Sequence, residues 1–164
     1  MNKPDSVMND EEHLAPPSDL AGHESVIEVP VNKLGQYFEG DESNATLPIT
    51  TKGLTVKGVL DGGAGVSMVT KSCWESMGRP HLEATSVVVK MANGSIVTPI
   101  GMLKDLRIKV LGHKVRQTFI VMDFSKHPMS FEMILGRPFM REAKLVHDWS
   151  KNHVYLQFQD SVIR

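Results

Sequence analysis

From about residue 46 onward, apolar and polar residues alternate over short stretches, and glycine, asparagine or proline interrupts each of them. A period of two marks half-buried β-strands. Residues 47–51 and 54–60 read as two strands rich in Val, Ile, Leu and Thr around a tight Lys52-Gly53 turn. A short strand over 66–69 leads to Thr70, a good N-cap. The helix it starts runs through Trp74 to about Met77, where Gly78 and Pro80 end it. Residues 86–91 and 96–97 flank Ala92-Asn93-Gly94-Ser95, and Asn-Gly between apolar stretches is a strong hairpin signal. Strands over 103–110 and 115–122 follow, joined at Leu111-Gly112-His113. A polar loop over 123–130 leads to the apolar pair Ile134-Leu135, then Gly136, then a short helix through Ala143 that Pro138 helps to start. Residues 145–146 and 154–158 form a last hairpin around Ser150-Lys151-Asn152. Eight or nine short strands, two short helices and no βαβ spacing predict a mostly β fold, a single closed, antiparallel-rich barrel.

The first 44 residues break this pattern. Residues 1–25 are polar and acidic, hold three prolines and carry few large apolar side chains. Such a segment buries too little surface to offset its ordering entropy, so disorder is expected. Residues 26–38 contain an apolar patch interrupted by Pro30, which either docks on the domain or serves as a linker. The expected division is an acidic, disordered leader over 1–44 and a folded domain over 45–160.

Charge follows the same division. The 164-residue chain has a net charge of −1, but residues 1–45 hold ten acidic and two basic residues, a net of −8. The remainder, with 16 basic and nine acidic residues, carries +7. The basic residues are spread singly along predicted strands with no aromatics between them, which reads as a solvated surface and not as a nucleic-acid site. The leader is expected either to link the domain to a longer polyprotein or to fold back on the basic domain. No apolar run reaches the length of a membrane span, and the first residues have no apolar signal-peptide core. Cys73 is the one cysteine, so no internal disulfide can form, and the chain is expected in the cytoplasm or nucleus and not secreted. The seven histidines lack the paired spacing of a zinc site, and neither metal nor cofactor is expected.

Candidate chemistry centres on Val59-Leu60-Asp61-Gly62-Gly63-Ala64-Gly65-Val66. A strand delivers a carboxylate to a glycine-dense turn, whose backbone can bend tightly and bring amides against the charge. A phosphate-cradling loop would need Gly-Lys-Ser/Thr four residues after a glycine, and Gly65 is followed by Val66. The dinucleotide fingerprint fails in its glycine spacing, and Ser67 lacks the G-x-S-x-G setting of a nucleophilic serine. Carboxylate chemistry remains, alongside the plainer reading of a glycine-rich turn with an incidental Asp. Other acids are weaker candidates: Asp148 precedes a turn, and Asp105 and Asp123 flank strands.

The order of elements over roughly 47–158 resembles the retropepsin family, the aspartic proteases of retroviruses and long-terminal-repeat retrotransposons. Asp61-Gly62-Gly63-Ala64 stands where that family has Asp-Ser/Thr-Gly-Ala, and the helix from Thr70 follows at the expected distance. The Asn93-Gly94 hairpin takes the place of the flap over the substrate. Ile134-Leu135-Gly136-Arg137 matches the second signature, an apolar pair followed by Gly-Arg. The flavour is similar to plant Ty3/gypsy-type elements. The resemblance implies a homodimer in which two Asp61 side chains, one per subunit, activate water for hydrolysis of an extended polypeptide. It assigns Asp61 as catalytic and Gly63, Ala64, Ala92, Asn93, Gly94 and Ser95 to substrate binding. Gly62, Ile134, Leu135, Gly136 and Arg137 would support the loop from below. Two positions depart from the pattern. Gly62 replaces the hydroxyl that braces the two loops across the dimer, and Gly65 replaces an acid that would pair with Arg137, which must bond elsewhere. An active endopeptidase is the first expectation, and a weak or inactive dimerisation or peptide-binding module on the same fold is the second.

Overall fold

The computed structural model describes residues 26–30, 45–91, 94–126, 130–151 and 153–158. Eleven strands and two helices follow in the order β1 (Val26–Pro30), β2 (Thr46–Thr51), β3 (Leu54–Leu60), β4 (Ser67–Thr70), α1 (Lys71–Ser76), β5 (Val89–Lys90), β6 (Ile96–Val97), β7 (Gly101–Val110), β8 (His113–Met122), β9 (Met133–Leu135), α2 (Arg137–Glu142), β10 (Val146–Asp148) and β11 (His153–Gln157). Six strands close a barrel in the order β2-β3-β9-β4-β8-β7. Two neighbouring pairs, β3/β9 and β4/β8, are parallel, and the other four are antiparallel. The expected closed, antiparallel-rich barrel with two short helices is the fold.

Alternation explains closure. On β7 and β8 Leu106, Ile108, Val110, Val115 and Phe119 point inward while Arg107, Lys109, Lys114 and Arg116 point out. The inward residues join Leu47, Ile49, Val69, Met133, Leu135, Phe139 and Leu156 in one core. Burying a side chain of this size contributes about 1.5–3 kcal/mol. Cys73, on the buried face of α1, belongs to the same core, and burial together with the nearby Glu132 charge raises its pKa to about 11. The Thr70 hydroxyl caps α1 by accepting from the Cys73 amide at 3.1 Å, as its position before the helix predicts.

Outside the barrel the structure selects one of the two readings of the start of the apolar patch and shortens one expected strand. Val26–Pro30, within the stretch assigned to the leader, pairs antiparallel with β11, which also pairs with β10. Docking, not a bare linker, is the outcome for that segment. The first strand of the hairpin at 86–97 is also shorter than expected. Val89 pairs with Val97 and Lys90 with Ile96, whereas the Val87 amide is taken by the Thr85 hydroxyl at 3.1 Å. A side chain thus removes the donor that a longer ladder would need. Among the described residues no helix is long and apolar enough to cross a membrane.

Candidate active site

The parallel pair β3/β9 aligns Leu60 with Leu135, so the two signature segments, far apart in sequence, run side by side to the same end of the barrel. The Asp61 amide donates to the Leu135 carbonyl at 3.0 Å, extending this pairing to the carboxylate-bearing residue. The chain then turns: the Ala64 amide donates to the Asp61 carbonyl at 3.1 Å, and the Gly63 amide donates to Asp61 Oδ1 at 2.9 Å. The backbone therefore aims and holds one carboxylate oxygen, and Asp61 itself is half-buried.

The second signature closes round the loop from below. The Arg137 amide donates to the Ala64 carbonyl at 2.9 Å, and its guanidinium Nη1 donates to the Gly62 carbonyl at 2.8 Å. This is the replacement partner that the absence of an acid at position 65 required. Gly136 sits so close to the loop that a Cβ there would lie 2.5 Å from the Val66 carbonyl oxygen and 2.8 Å from that of Ala64. Only a residue without a side chain permits this approach. The Gly136 amide donates to the buried Ser67 hydroxyl at 3.0 Å. Ser67 is thus a supporting residue that sequence reading considered only as a nucleophile. Its signal was a lone polar residue inside a short apolar run, the pattern of a strand buried on both faces. At Gly62 the nearest atom to an added Cβ is Met140 Sδ at 3.9 Å, so the structure leaves room for a side chain there.

Two apolar regions flank the loop. Met68, Ile120, Met122 and Ile134 form a buried cluster against which Ala64 and Val66 pack from the loop, Val89 and Val97 from the hairpin, and Phe124 and Phe131 from the following loop. The hairpin and the carboxylate loop therefore share a floor. The second region is a cavity of about 230 Å³ that touches Asp61 and Gly62 and is lined by Leu60, Met140, Leu145, His147 and Trp149 among others. Trp149 is 66% exposed and stacks on His147 at 3.7 Å between ring centroids. No sequence motif marked either region, because their members come from five or more separate elements.

Of the residues singled out in the sequence, Asp61, Gly62, Gly63, Ala64, Ile134, Leu135, Gly136 and Arg137 come together at this one place. Gly94 and Ser95 lie in the hairpin turn, where the Met91 amide donates to the Ser95 carbonyl at 2.8 Å and the Gly94 amide to that of Met91 at 2.9 Å. Ala92 and Asn93 fall outside the described residues. The discounted acids stay apart in local turns: Asp123 accepts from Ser125 and Asp148 from Ser150, bonds that lower the pKa of each.

A closed barrel whose two signature loops interlock around one glycine-flanked carboxylate defines a retropepsin-like fold. Comparison agrees: residues 47–139, more than half the chain, match the family model for aspartyl protease, and the chain belongs to that family. Among solved structures it is similar to the retroviral protease-like domain of Ddi1 from Leishmania major. The TM-score is 0.53 at 18% identity, covering 70% of this chain and 92% of that one, a likeness of fold. No curated protein matches the chain.

Proposed function

We propose that the chain is an aspartic endopeptidase that works as a homodimer, cleaving an extended polypeptide within a retroelement polyprotein or a host protein. The observation that carries this reading is the loop at Asp61: one carboxylate, aimed by the Gly63 amide and locked by Arg137 and Gly136, with room beside it. One such loop is half of an acid–base device. Two carboxylates about 3 Å apart cannot both ionise, so a pair of Asp61 side chains at a two-fold axis shares one proton. The ionised member takes a proton from water as that water attacks the scissile carbonyl. The protonated member donates to the carbonyl oxygen, and the pair titrates as a unit. Two features support an isologous contact at this place: the apolar cavity reaching Asp61 and Gly62, and the exposed Trp149 at its rim. Above the shared apolar floor, the hairpin at Gly94 and Ser95 closes over substrate and holds it by main-chain hydrogen bonds. We place the protein in the cytoplasm or nucleus.

Gly62 favours a second reading, a dimerisation or peptide-binding module with little turnover, because the position has no hydroxyl to brace a partner loop. Cleavage of a peptide library near pH 5 separates the two. Asp61→Asn is expected to lower kcat/KM by at least about 10³-fold, the scale of general acid–base catalysis, with the dimer intact. Equal cleavage by that variant overturns the enzyme reading. A stable dimer that binds peptides without cleaving them between pH 4 and 8 selects the module.

A further inference from the structure

The strand register gathers the domain's positive charge onto one face, which the linear sequence conceals. On the outside of the β3-β2-β7-β8 wall, Arg107 lies opposite Arg116 and Lys109 opposite Lys114. Thr50 pairs with Lys109 on one side and Thr55 on the other, and Pro48 pairs with Lys57. Lys52 sits in the β2–β3 turn and Lys104 in the bulge between Leu103 and Leu106. These four strands and their turns thus hold seven cations against one acid, Asp105, nearly the whole positive excess of the domain. Like charges directly opposite each other on neighbouring strands are destabilising, and here two such pairs lie side by side. The ion pairs among the described residues join Lys71 to Asp123, Arg79 to Glu75 and Lys151 to Asp148, and none involves the seven. No ion pair among the described residues offsets this repulsion, so a bound anionic segment would relieve it.

We propose that the acidic N-terminal arm, residues 1–25, docks on this face and neutralises it in cis. Charge complementarity is the first argument: the arm holds Asp5, Asp10, Glu11, Glu12, Asp19 and Glu24 against Lys3 alone. The second is where the arm departs. Residue 26 begins β1, and Val26 pairs with Gln157. The next residue, Phe158, lies tilted against His113 with ring centroids 5.6 Å apart, at the β7–β8 turn where Lys109 and Lys114 begin the cationic ladder. Twenty-five residues extend up to about 80 Å, several times the width of the wall. Tethering at this edge gives the arm an effective concentration on the order of millimolar. A single-stranded nucleic acid fits less well, because the exposed positions of the wall carry no aromatic platform for bases.

Zero-length carbodiimide cross-linking of the full chain, mapped by mass spectrometry, tests this independently of any protease activity. At about 20 mM salt, Asp10, Glu11 and Glu12 are expected to link to Lys109 and Lys114 in preference to Lys71, Lys90 and Lys144. At about 0.5 M salt, where screening is strong, the yield is expected to fall at least about fivefold. Lys109→Glu with Lys114→Glu is expected to abolish these links while circular dichroism stays unchanged. Should that pair disturb folding, exchanging the six arm acids for their amides in the full chain is expected to raise labelling of Lys109 and Lys114 by an amine-reactive reagent. Cross-links spread evenly over lysines on and off the face, or links indifferent to salt, overturn the proposal. So does their displacement by a 20-nucleotide single strand at submicromolar concentration, which would give the face to nucleic acid.

Discussion

The loop that carries Asp61 and the hairpin that carries Gly94 share one apolar floor but are held in opposite ways. The loop is fixed by hydrogen bonds within its own turn, by one to the Leu135 carbonyl and by two from Arg137, while Gly136 beneath it donates to the Ser67 hydroxyl. It leaves no space for a Cβ beneath it. The hairpin has two residue pairs and rests on the barrel through Val89 and Val97, with Val88 and Ile96 turned to solvent. Regions with few buried apolar contacts and exposed hydrogen bonds open locally at low free-energy cost. Under the proposed function, the carboxylate whose direction matters sits on the rigid part, and the element that would admit a substrate sits on the light one.

The largest test of that contrast is Gly136→Ala. The new methyl group would meet two loop carbonyls, and a destabilisation of about 3 kcal/mol is expected by denaturant unfolding. A loss under about 1 kcal/mol would mean the loop yields as readily as the hairpin. Gly62→Thr comes next. The structure has room for the side chain, and one added hydrogen bond per subunit at about 1 kcal/mol each should tighten the proposed dimer roughly 30-fold, read by sedimentation equilibrium. Unchanged dimerisation would show that the brace is not the missing element.

The rigid half also predicts a response to alkali. The folded state holds the Cys73 thiol protonated up to about pH 11, whereas the unfolded chain releases that proton near the ordinary value of 9.0. In that window the native state binds more protons than the unfolded one, so stability falls as pH rises. The slope approaches about 1.4 kcal/mol per pH unit. Cys73→Ala should remove this slope, and its persistence in urea melts of that variant would assign it to another group. The smallest effect belongs to the hairpin. Gly94 has φ +90°, so Gly94→Ala should cost about 1 kcal/mol of local strain. Amide exchange at Met91 and Gly94 should rise, with the global unfolding midpoint almost unmoved. A shift as large as that of Gly136→Ala would dissolve the distinction.

Much of the barrel was legible because period-two alternation on β2, β3, β7 and β8 and the turns at Lys52-Gly53 and Leu111-Gly112 are local signals. The carboxylate loop was legible for a similar reason, since each signature is contiguous. The rest depended on which strands become neighbours. β1 could not be read as a strand from its own five residues, because its partner β11 lies more than 120 residues away. The cationic wall was only half legible: the local β7–β8 turn already opposes Arg107 to Arg116 and Lys109 to Lys114, but Lys57 and Lys52 join them only through the long-range β2/β7 pairing. Ser67 and the Phe124/Phe131 contribution to the floor need the parallel β4/β8 and antiparallel β4/β9 pairings before they acquire meaning.

The β3/β9 pairing has one more consequence, in the order of synthesis. Asp61 gains its orienting partner from Leu135 and its lock from Gly136 and Arg137, some 75 residues later in the chain. A polypeptide still emerging from the ribosome therefore carries the carboxylate and the Gly63 amide that aims it long before it carries the residues that lock the loop. Such non-local contacts close late in folding. The locked loop is thus withheld from every chain that has not yet reached residue 137, a delay written into connectivity.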